Sequence, residues 1–413
     1  MTKIAVIGLG YIGLPTATIF ASRGFEVLGV DVSEAVVSTL KEGRIHIVEP
    51  DLDVSVVAAI KSGKLEVSTE PGPADVFIIA VPTPLKDNHT PDLSYVKQAA
   101  RQIAVHLVPG NLVILESTSP VGTTHNICEW IAAAREDLRL PHQDPTNPDI
   151  HVAHCPERVL PGRIMAELVE NDRIIGGISP ACTAKTIALY QQFVRGECLP
   201  TNAATAEMAK LAENAFRDVN IAFANELSIL AENQDVNVWE LVRLANHHPR
   251  VNILNPGPGV GGHCIAVDPW FLVNADPERA QLISAARQVN DFKPGFIIDQ
   301  VINAIAGTDE PHVACLGLAF KANVDDLRES PAVEICMALS KIEGITLSVA
   351  EPHINTLPDQ LGVCANIQLT DPETAIRTAD VVLLLVDHDQ FLNIPSQIDL
   401  TNVTVIDTRG QWG

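Results

Sequence analysis

Short apolar runs alternate with amphipathic stretches along the first 160 residues. KIAVIGLG (3–10), FEVLGVD (25–31), DVFIIAVPTP (75–84), NLVILEST (111–118) and DIHVAHCPE (149–157) are each dominated by Val, Ile, Leu and Ala. Strands covered on both faces read this way, because side chains pointing up and down both meet a core. The segments between them are long enough for crossover helices, so the region predicts βαβ units in a parallel, doubly wound sheet. The polar, proline-bearing stretch 135–149 is expected to be a surface loop.

The period then changes. TAEMAKLAENAFRDVNIAFANELSILAENQDV (205–236) contains no Gly or Pro, and its apolar residues recur at spacings of three and four. That predicts one long helix, about 45 Å at ~1.5 Å per residue. A second helical pattern covers 279–293, and strands return at 312–321, 345–351, 380–388 and 403–410. The expected class is α/β: two doubly wound domains, 1–198 and 308–413, joined by a central helical domain, 199–307. The internal echo is coarse, a strand, a Gly-bearing turn and a helix opening both α/β blocks.

The composition narrows the class. With 413 residues, 46% hydrophobic and 19% charged, the chain is globular and long enough for several cores. A formal net charge of −23 argues against nucleic acid or an anionic membrane as partner. Local Lys, Arg and helix N-termini can still hold a nucleotide. A salt-rich cytoplasm or drift in surface composition would each produce the acidic surplus. MTKIAVIG runs straight into a strand, and the longest apolar runs, such as VVLLLV (381–386), are far short of a membrane span. None of the eight cysteines forms a C-x-x-C pair, so no metal site is expected and the thiols read as reduced and cytoplasmic.

Gly8-Leu9-Gly10-Tyr11-Ile12-Gly13 follows a strand and opens a helix. Gly8 permits the tight turn, Gly10 the approach of a pyrophosphate, and Gly13 close packing of helix on strand. Asp31 ends the next strand, where a carboxylate accepts hydrogen bonds from a ribose diol and repels a 2′-phosphate. The first domain therefore reads as Rossmann-like and NAD-binding, and 308–413 as a second Rossmann-like domain. Thr83, Thr118 and Thr124 follow buried strands at the crevice; they either offer hydroxyls to cofactor or substrate or cap the following helices.

Lys210 and Asn214 lie one helical turn apart, and Arg217 extends the stripe. The stripe is either a solvated polar face or an ammonium and an amide beside a reacting oxygen. Glu157 and Arg158, after the fifth strand, are either a surface pair or a water-activating carboxylate and an anion-holding guanidinium. Cys264 ends NPGPGVGGHC, where Gly259, Gly261 and Gly262 would let a ligand lie against the backbone. The thiol is placed to attack a carbonyl, with Asp268 four residues on and His263 beside it. A nicotinamide site with a nucleophilic cysteine suggests oxidation of an alcohol through aldehyde, thiohemiacetal and thioester to a carboxylate, using two NAD.

GLGYIGLP, the K-x-x-x-N helix, the GGHC loop and GLAFK, in this order, resemble the UDP-glucose/GDP-mannose dehydrogenase family over essentially the whole chain. HCPERVLPG, AENAFRDVNIAFANEL, HHPRVNI and GPGVGGHCIAVDPWF are most similar to members that oxidise UDP-N-acetyl-D-mannosamine, with UDP-N-acetyl-D-glucosamine as the first alternative and a two-electron 3-hydroxyacid dehydrogenase, which would need no Cys264, as the second. Where members acting on UDP-glucose usually carry Ser and Lys, this chain has His263 and Val267, which argues for a UDP-N-acetylhexosamine. The resemblance implies Cys264 as nucleophile, Lys210, Asn214 and Asp268 for proton transfer and the oxyanion, and Glu157 for thioester hydrolysis. It implies Tyr11, Ile12, Asp31, Thr83 and Thr124 at the NAD. Arg158, Val159, Arg217, His248, Arg250, Gly261, Phe320, Lys321 and Arg328 would hold the UDP-sugar. Arg409 matches a position that is often Lys. A homodimer is implied, with Arg250 reaching the partner's site and surface polysaccharide as the destination of the product.

Overall fold

The computed structural model describes residues 2–412 except Val48, Pro161 and His263. The chain packs as two compact units, residues 1–213 and 214–413. The division falls within the long helix Ala203–Glu232.

The first unit is built on an eight-stranded sheet. Its strands are β1 (Lys3–Ile7), β2 (Glu26–Val30), β3 (Leu65–Ser68), β4 (Val76–Ile79), β5 (Leu112–Leu115), β6 (His151–His154), β7 (Arg173–Gly177) and β8 (Cys198–Asn202), in the order 3-2-1-4-5-6-7-8. Strands 1 to 6 are parallel and the order reverses between β1 and β4, the switch point where doubly wound sheets open their binding crevice. Both faces are buried: Ile4 and Val6 enter one core cluster, Ala5 and Ile7 the other. That is why the strand reads as an unbroken apolar run.

The sheet extends beyond the expected parallel strands, because β7 pairs antiparallel with β6 and parallel with β8. Neither strand was legible. RIIGG ends in two glycines, and CLPTN carries Pro200, which a sheet tolerates at its edge. The short strand β3 was also missed.

The second unit carries a five-stranded parallel sheet of β9 (His312–Leu316), β10 (Thr346–Ala350), β11 (Ile367–Leu369), β12 (Val381–Leu384) and β13 (Thr404–Asp407), in the order 11-10-9-12-13. The two sheets repeat one plan more closely than the sequence suggested. Gly8 and Gly317 have φ of 95° and 96°, accessible at low cost only to glycine. Their N–H groups donate to Val30 O and Ala350 O, each at 2.8 Å. The next N–H donates to an acid ending the second strand: Leu9 to Asp31 Oδ2 at 3.0 Å, Leu318 to Glu351 Oε2 at 2.7 Å.

The helix expected over 205–236 runs Ala203–Glu232; Asp235, left-handed at φ 56°, follows its end. The helical pattern ending at 293 continues to Ala304, through Pro294. One missing N–H does not end a 24-residue helix whose proline is buried against the 259 turn. The stretch 135–149 is a loop, as expected.

Candidate active site

In the first unit, the glycine turn and the helix Gly13–Ser22 follow β1 at its carboxyl end. A Cβ on Gly13 would stand 1.8 Å from Gly8 O, so only glycine lets this helix start so close to the turn. Gly10 is exposed, with open space where a Cβ would project, and Ile12 caps the helix without a side-chain hydrogen bond. Tyr11 and Ile12 are half-buried beside it. The Asp31 carboxylate is fixed by the N–H groups of Leu9 and Ser33, at 3.0 and 2.9 Å, at the carboxyl end of β2. A glycine turn at a helix start and a positioned acid on the neighbouring strand fit a dinucleotide diphosphate and its ribose.

The threonines divide between the two readings. Thr83 donates to Thr118 O at 2.6 Å and stays half-buried at the crevice, as does Thr118. Thr124 is fully buried, its hydroxyl donating to Glu207 Oε1 at 2.6 Å. Glu207 also accepts the N–H groups of Gly122 and Thr124, capping the helix Thr123–Ala132. Burial raises the Glu207 carboxyl, against these hydrogen bonds. Glu207 was not anticipated; the available signal was its place one turn before Lys210 on the polar stripe.

The loop after β6 separates the pair that sequence proximity suggested. Glu157 is buried and meets Arg173 Nη1 at 2.7 Å, while Arg158 forks onto Glu213 at 2.8 and 3.1 Å. The surface Glu157–Arg158 pair is therefore corrected to two separate ion pairs; Val159 lies half-buried beside them. Burial alone would lower the Arg173 guanidinium, and the surrounding acidic groups, Glu157 foremost, together more than reverse it. Arg173 also lies over the Tyr190 ring, whose hydroxyl donates to Glu116 at 2.5 Å. Burial lifts Glu116 to about 7. Arg173 was missed because the partners lie 16 residues apart, on a loop and an unrecognised strand. His154, fully buried with both ring nitrogens unpartnered, is pushed down to about 3, by burial first and also by the Lys210 charge. Lys210 thus stands near the end of β6, half-buried.

In the second unit Cys264 is exposed, the only one of the eight cysteines in that class. Asp268 opens the helix Asp268–Ala275; its N–H donates to Cys264 O at 2.8 Å, and its buried carboxylate accepts Asn214 Nδ2 at 2.5 Å. The loop is anchored by Gly257 N–H on Asn225 Oδ1 at 2.9 Å and Gly262 N–H on Arg328 O at 3.1 Å. A Cβ at Gly261 would stand 2.6 Å from Glu329 O and 2.8 Å from Phe320 Cβ; one at Gly259 would press on Pro331 and Pro294. The expectation that these glycines make room for a ligand is therefore corrected: they let the Cys264 loop lie against the Phe320–Pro331 segment. His263 lies outside the described residues.

Phe320 is half-buried on that segment, with Lys321 and Arg328 exposed. Arg328 pairs with Asp326 and Arg409 with Asp387, the latter at 2.8 Å. Arg409 Nη1 lies 2.7 Å from where a Cβ on Gly257 would be, so Arg409 adjoins the start of the Cys264 loop. Arg217, His248 and Arg250 are exposed, and His248 Nδ1 accepts the Arg250 N–H at 3.3 Å.

The chain as a whole is similar to known proteins. The chain is 59% identical over 409 residues to an NDP-N-acetyl-D-galactosaminuronic acid dehydrogenase of Ralstonia nicotianae, covering 99% of this chain and 96% of that one. It is 55% identical over 418 residues to the UDP-N-acetyl-D-mannosamine dehydrogenase of Escherichia coli, covering 99% of each. Among solved structures it is similar to the UDP-N-acetyl-mannosamine dehydrogenase of Staphylococcus aureus, with TM-score 0.87, 42% identity, and 99% and 95% of the two chains covered. Family models match in sequence order: the NAD binding domain at residues 2–194, the central domain at 204–292 and the UDP binding domain at 314–413. The chain belongs to the UDP-glucose/GDP-mannose dehydrogenase family and is an NAD-dependent nucleotide-sugar dehydrogenase.

Proposed function

We propose that this dehydrogenase oxidises UDP-N-acetyl-D-mannosamine at C6 to the uronate, with Cys264 as nucleophile. The observation that carries the reading is an exposed thiol on an anchored loop whose next helix opens with the buried Asn214–Asp268 pair. The balance is one alcohol, one water and two NAD+ giving one carboxylate, two NADH and three protons. NAD, when bound, accepts the hydride lost from C6. Lys210 and Asn214 hold the C6 oxygen as it gains negative charge, and Asp268 orients the amide. Cys264 Sγ adds to the aldehyde carbon and later leaves as thiolate when water attacks the thioester. Glu157, held by Arg173, assists that water. Tyr11, Ile12, Asp31, Thr83 and Thr118 serve the cofactor within 1–198, and Thr124 serves it only indirectly, by holding Glu207 and the start of its helix. Arg158, Val159, Arg217, His248, Arg250, Phe320, Lys321, Arg328 and Arg409 serve the UDP-sugar, and Gly261 serves it by seating the Cys264 loop against Phe320. In this reading Arg158, Arg328 and Arg409 exchange their carboxylate partners for substrate. The long helix lies in the segment 199–307 and the nucleotide segment is 308–413.

A second reading has its own support: the 59% identical relative is named for an N-acetylgalactosaminuronic acid. The test is an NADH count with UDP-N-acetylmannosamine, UDP-N-acetylgalactosamine, UDP-N-acetylglucosamine and UDP-glucose. Two NADH per sugar with the first supports the proposal, and two with another moves the specificity. One NADH per sugar removes the thioester route.

A further inference from the structure

Glu351, His353 and His388 bring possible ligand atoms within 4.8 Å of one another. Spacing alone suits a divalent cation; the hydrogen bonds do not. His388 Nδ1 accepts the Asn323 N–H at 2.9 Å, so the ring proton sits on Nε2, which donates to Glu351 Oε2 at 3.0 Å. A metal on Nε2 would move that proton to Nδ1, directly against another N–H.

The pair holds a turn instead. Glu351 Oε2 also accepts the N–H groups of Leu318 and Ala319, at 2.7 and 3.0 Å, and Oε1 accepts the His353 N–H at 3.1 Å. Burial would raise the Glu351 carboxyl, but these bonds, with His388 foremost, bring it below the ordinary range, so it stays ionised. At the other end, Asn323 sits at φ 60°, a strained backbone for a non-glycine residue. It is held by its N–H on His388 and by its Oδ1, which accepts the Asp389 N–H at 3.1 Å. The turn 318–323 is thus pinned at both ends, and the two pins are bonded to each other. Between them lie Phe320 and Lys321. Phe320 backs onto Gly261 of the Cys264 loop, and the same segment accepts the Gly262 N–H at Arg328 O.

We propose that the buried His388–Glu351 pair is a positioning device for nucleotide-sugar binding: it fixes the Leu318–Asn323 turn so that Phe320 and Lys321 are presented to the UDP moiety. This rests on the reading of Phe320 and Lys321 as UDP-sugar residues. His388 acts through the turn, without itself touching substrate. Asparagine at 388 keeps an acceptor near Nδ1, glutamine keeps a donor near Nε2, and leucine keeps neither.

The test uses the full-length protein and reads UDP affinity by calorimetry beside the KM values for UDP-sugar and NAD. With neither bond left to hold the turn, His388→Leu should weaken UDP roughly tenfold, about 1.4 kcal/mol. The sugar KM should rise in parallel while the NAD KM stays unchanged. His388→Asn should recover most of the affinity, and His388→Gln less, because the Asn323 bond holds the turn directly. If His388→Leu does not fold, the Asn and Gln variants carry the comparison. Wild-type protein gives a further reading: in nitrogen-15 spectra, the histidine signal lost in His388→Asn should show a bare Nδ1 and a protonated Nε2. Unchanged UDP affinity in the folded variants, equal losses for UDP and NAD, or a chelator-removable metal with a protonated Nδ1 would each overturn the proposal. If wild-type protein binds no UDP, the nucleotide reading of the turn falls and takes this inference with it. Wild-type binding with unaffected variants strikes the inference alone.

Discussion

Exposure and anchoring together decide what a substitution at Cys264 does. The side chain is exposed, so Cys264→Ala opens no cavity and, on the proposed mechanism, removes the attacking atom. Acid formation is expected to stop while NAD binding, followed by fluorescence titration, stays at the wild-type value. Wild-type yield of uronate from that variant would end the covalent mechanism. His154 gives the opposite kind of residue, buried and without a hydrogen-bond partner for either ring nitrogen. Its folded-state pKa of about 3 lies below the ordinary 6.5, so the unfolded chain binds the proton first. The stability it contributes is present above about 6.5 and is lost as pH falls toward 3. Between pH 7 and 5 that loss is about 2 kcal/mol. Glu116, lifted by burial from the ordinary 4.5 to about 7, runs the other way: the stability its protonated form contributes is full below about 4.5 and is lost as pH rises to about 7. Comparing His154→Phe with wild type isolates the histidine, and the variant should lose less melting temperature between pH 7 and 5. An identical loss in both proteins would assign the acid sensitivity elsewhere.

At the scale of elements, the loop around Cys264 and the Phe320–Pro331 segment act as one packed unit. Asn225 anchors one side of the loop and Arg328 O the other, with Gly261 in contact between them. A methyl group at Gly261 cannot fit against Glu329 O and Phe320 Cβ without moving the loop. Because displacements near 1 Å at a reacting group cost on the order of 100-fold, Gly261→Ala should lower kcat by 10–100-fold with NAD affinity unchanged. A normal kcat would show that the thiol does not depend on this packing. The glycines were legible as a close approach, but what approaches them was not: Phe320 lies some sixty residues away, and only the folded second unit brings it there. In the same way the sequence offered the carboxylate of Glu157 and hid Arg173, and offered Lys210 and hid Glu207.

At the scale of the whole molecule, Phe216, Phe223 and Leu230 recur every seven residues on the long helix and are 70%, 51% and 49% exposed in the single chain. Residues seven apart share a helix face, so the stripe offers an apolar surface suited to a two-fold partner. On the proposal that two copies pair through this stripe, Phe223→Asp should lower the mass measured by light scattering to that of a single chain, and an unchanged mass would assign the stripe another role. Among the described residues no helix is long and apolar enough to cross a membrane. Within the chain, the buried parallel strands, the glycine turn with Asp31, the long helix and the Cys264 loop could all be read directly. Each depends on local spacing and on residue types that few backbones accept. Tertiary structure alone decided the antiparallel extension through β7 and β8, the matched hydrogen bonds that make the second sheet repeat the first, and every pairing of charges at the site. Those depend on which distant groups share a buried place, and a lone carboxylate or imidazole leaves water only where the whole fold supplies its partner.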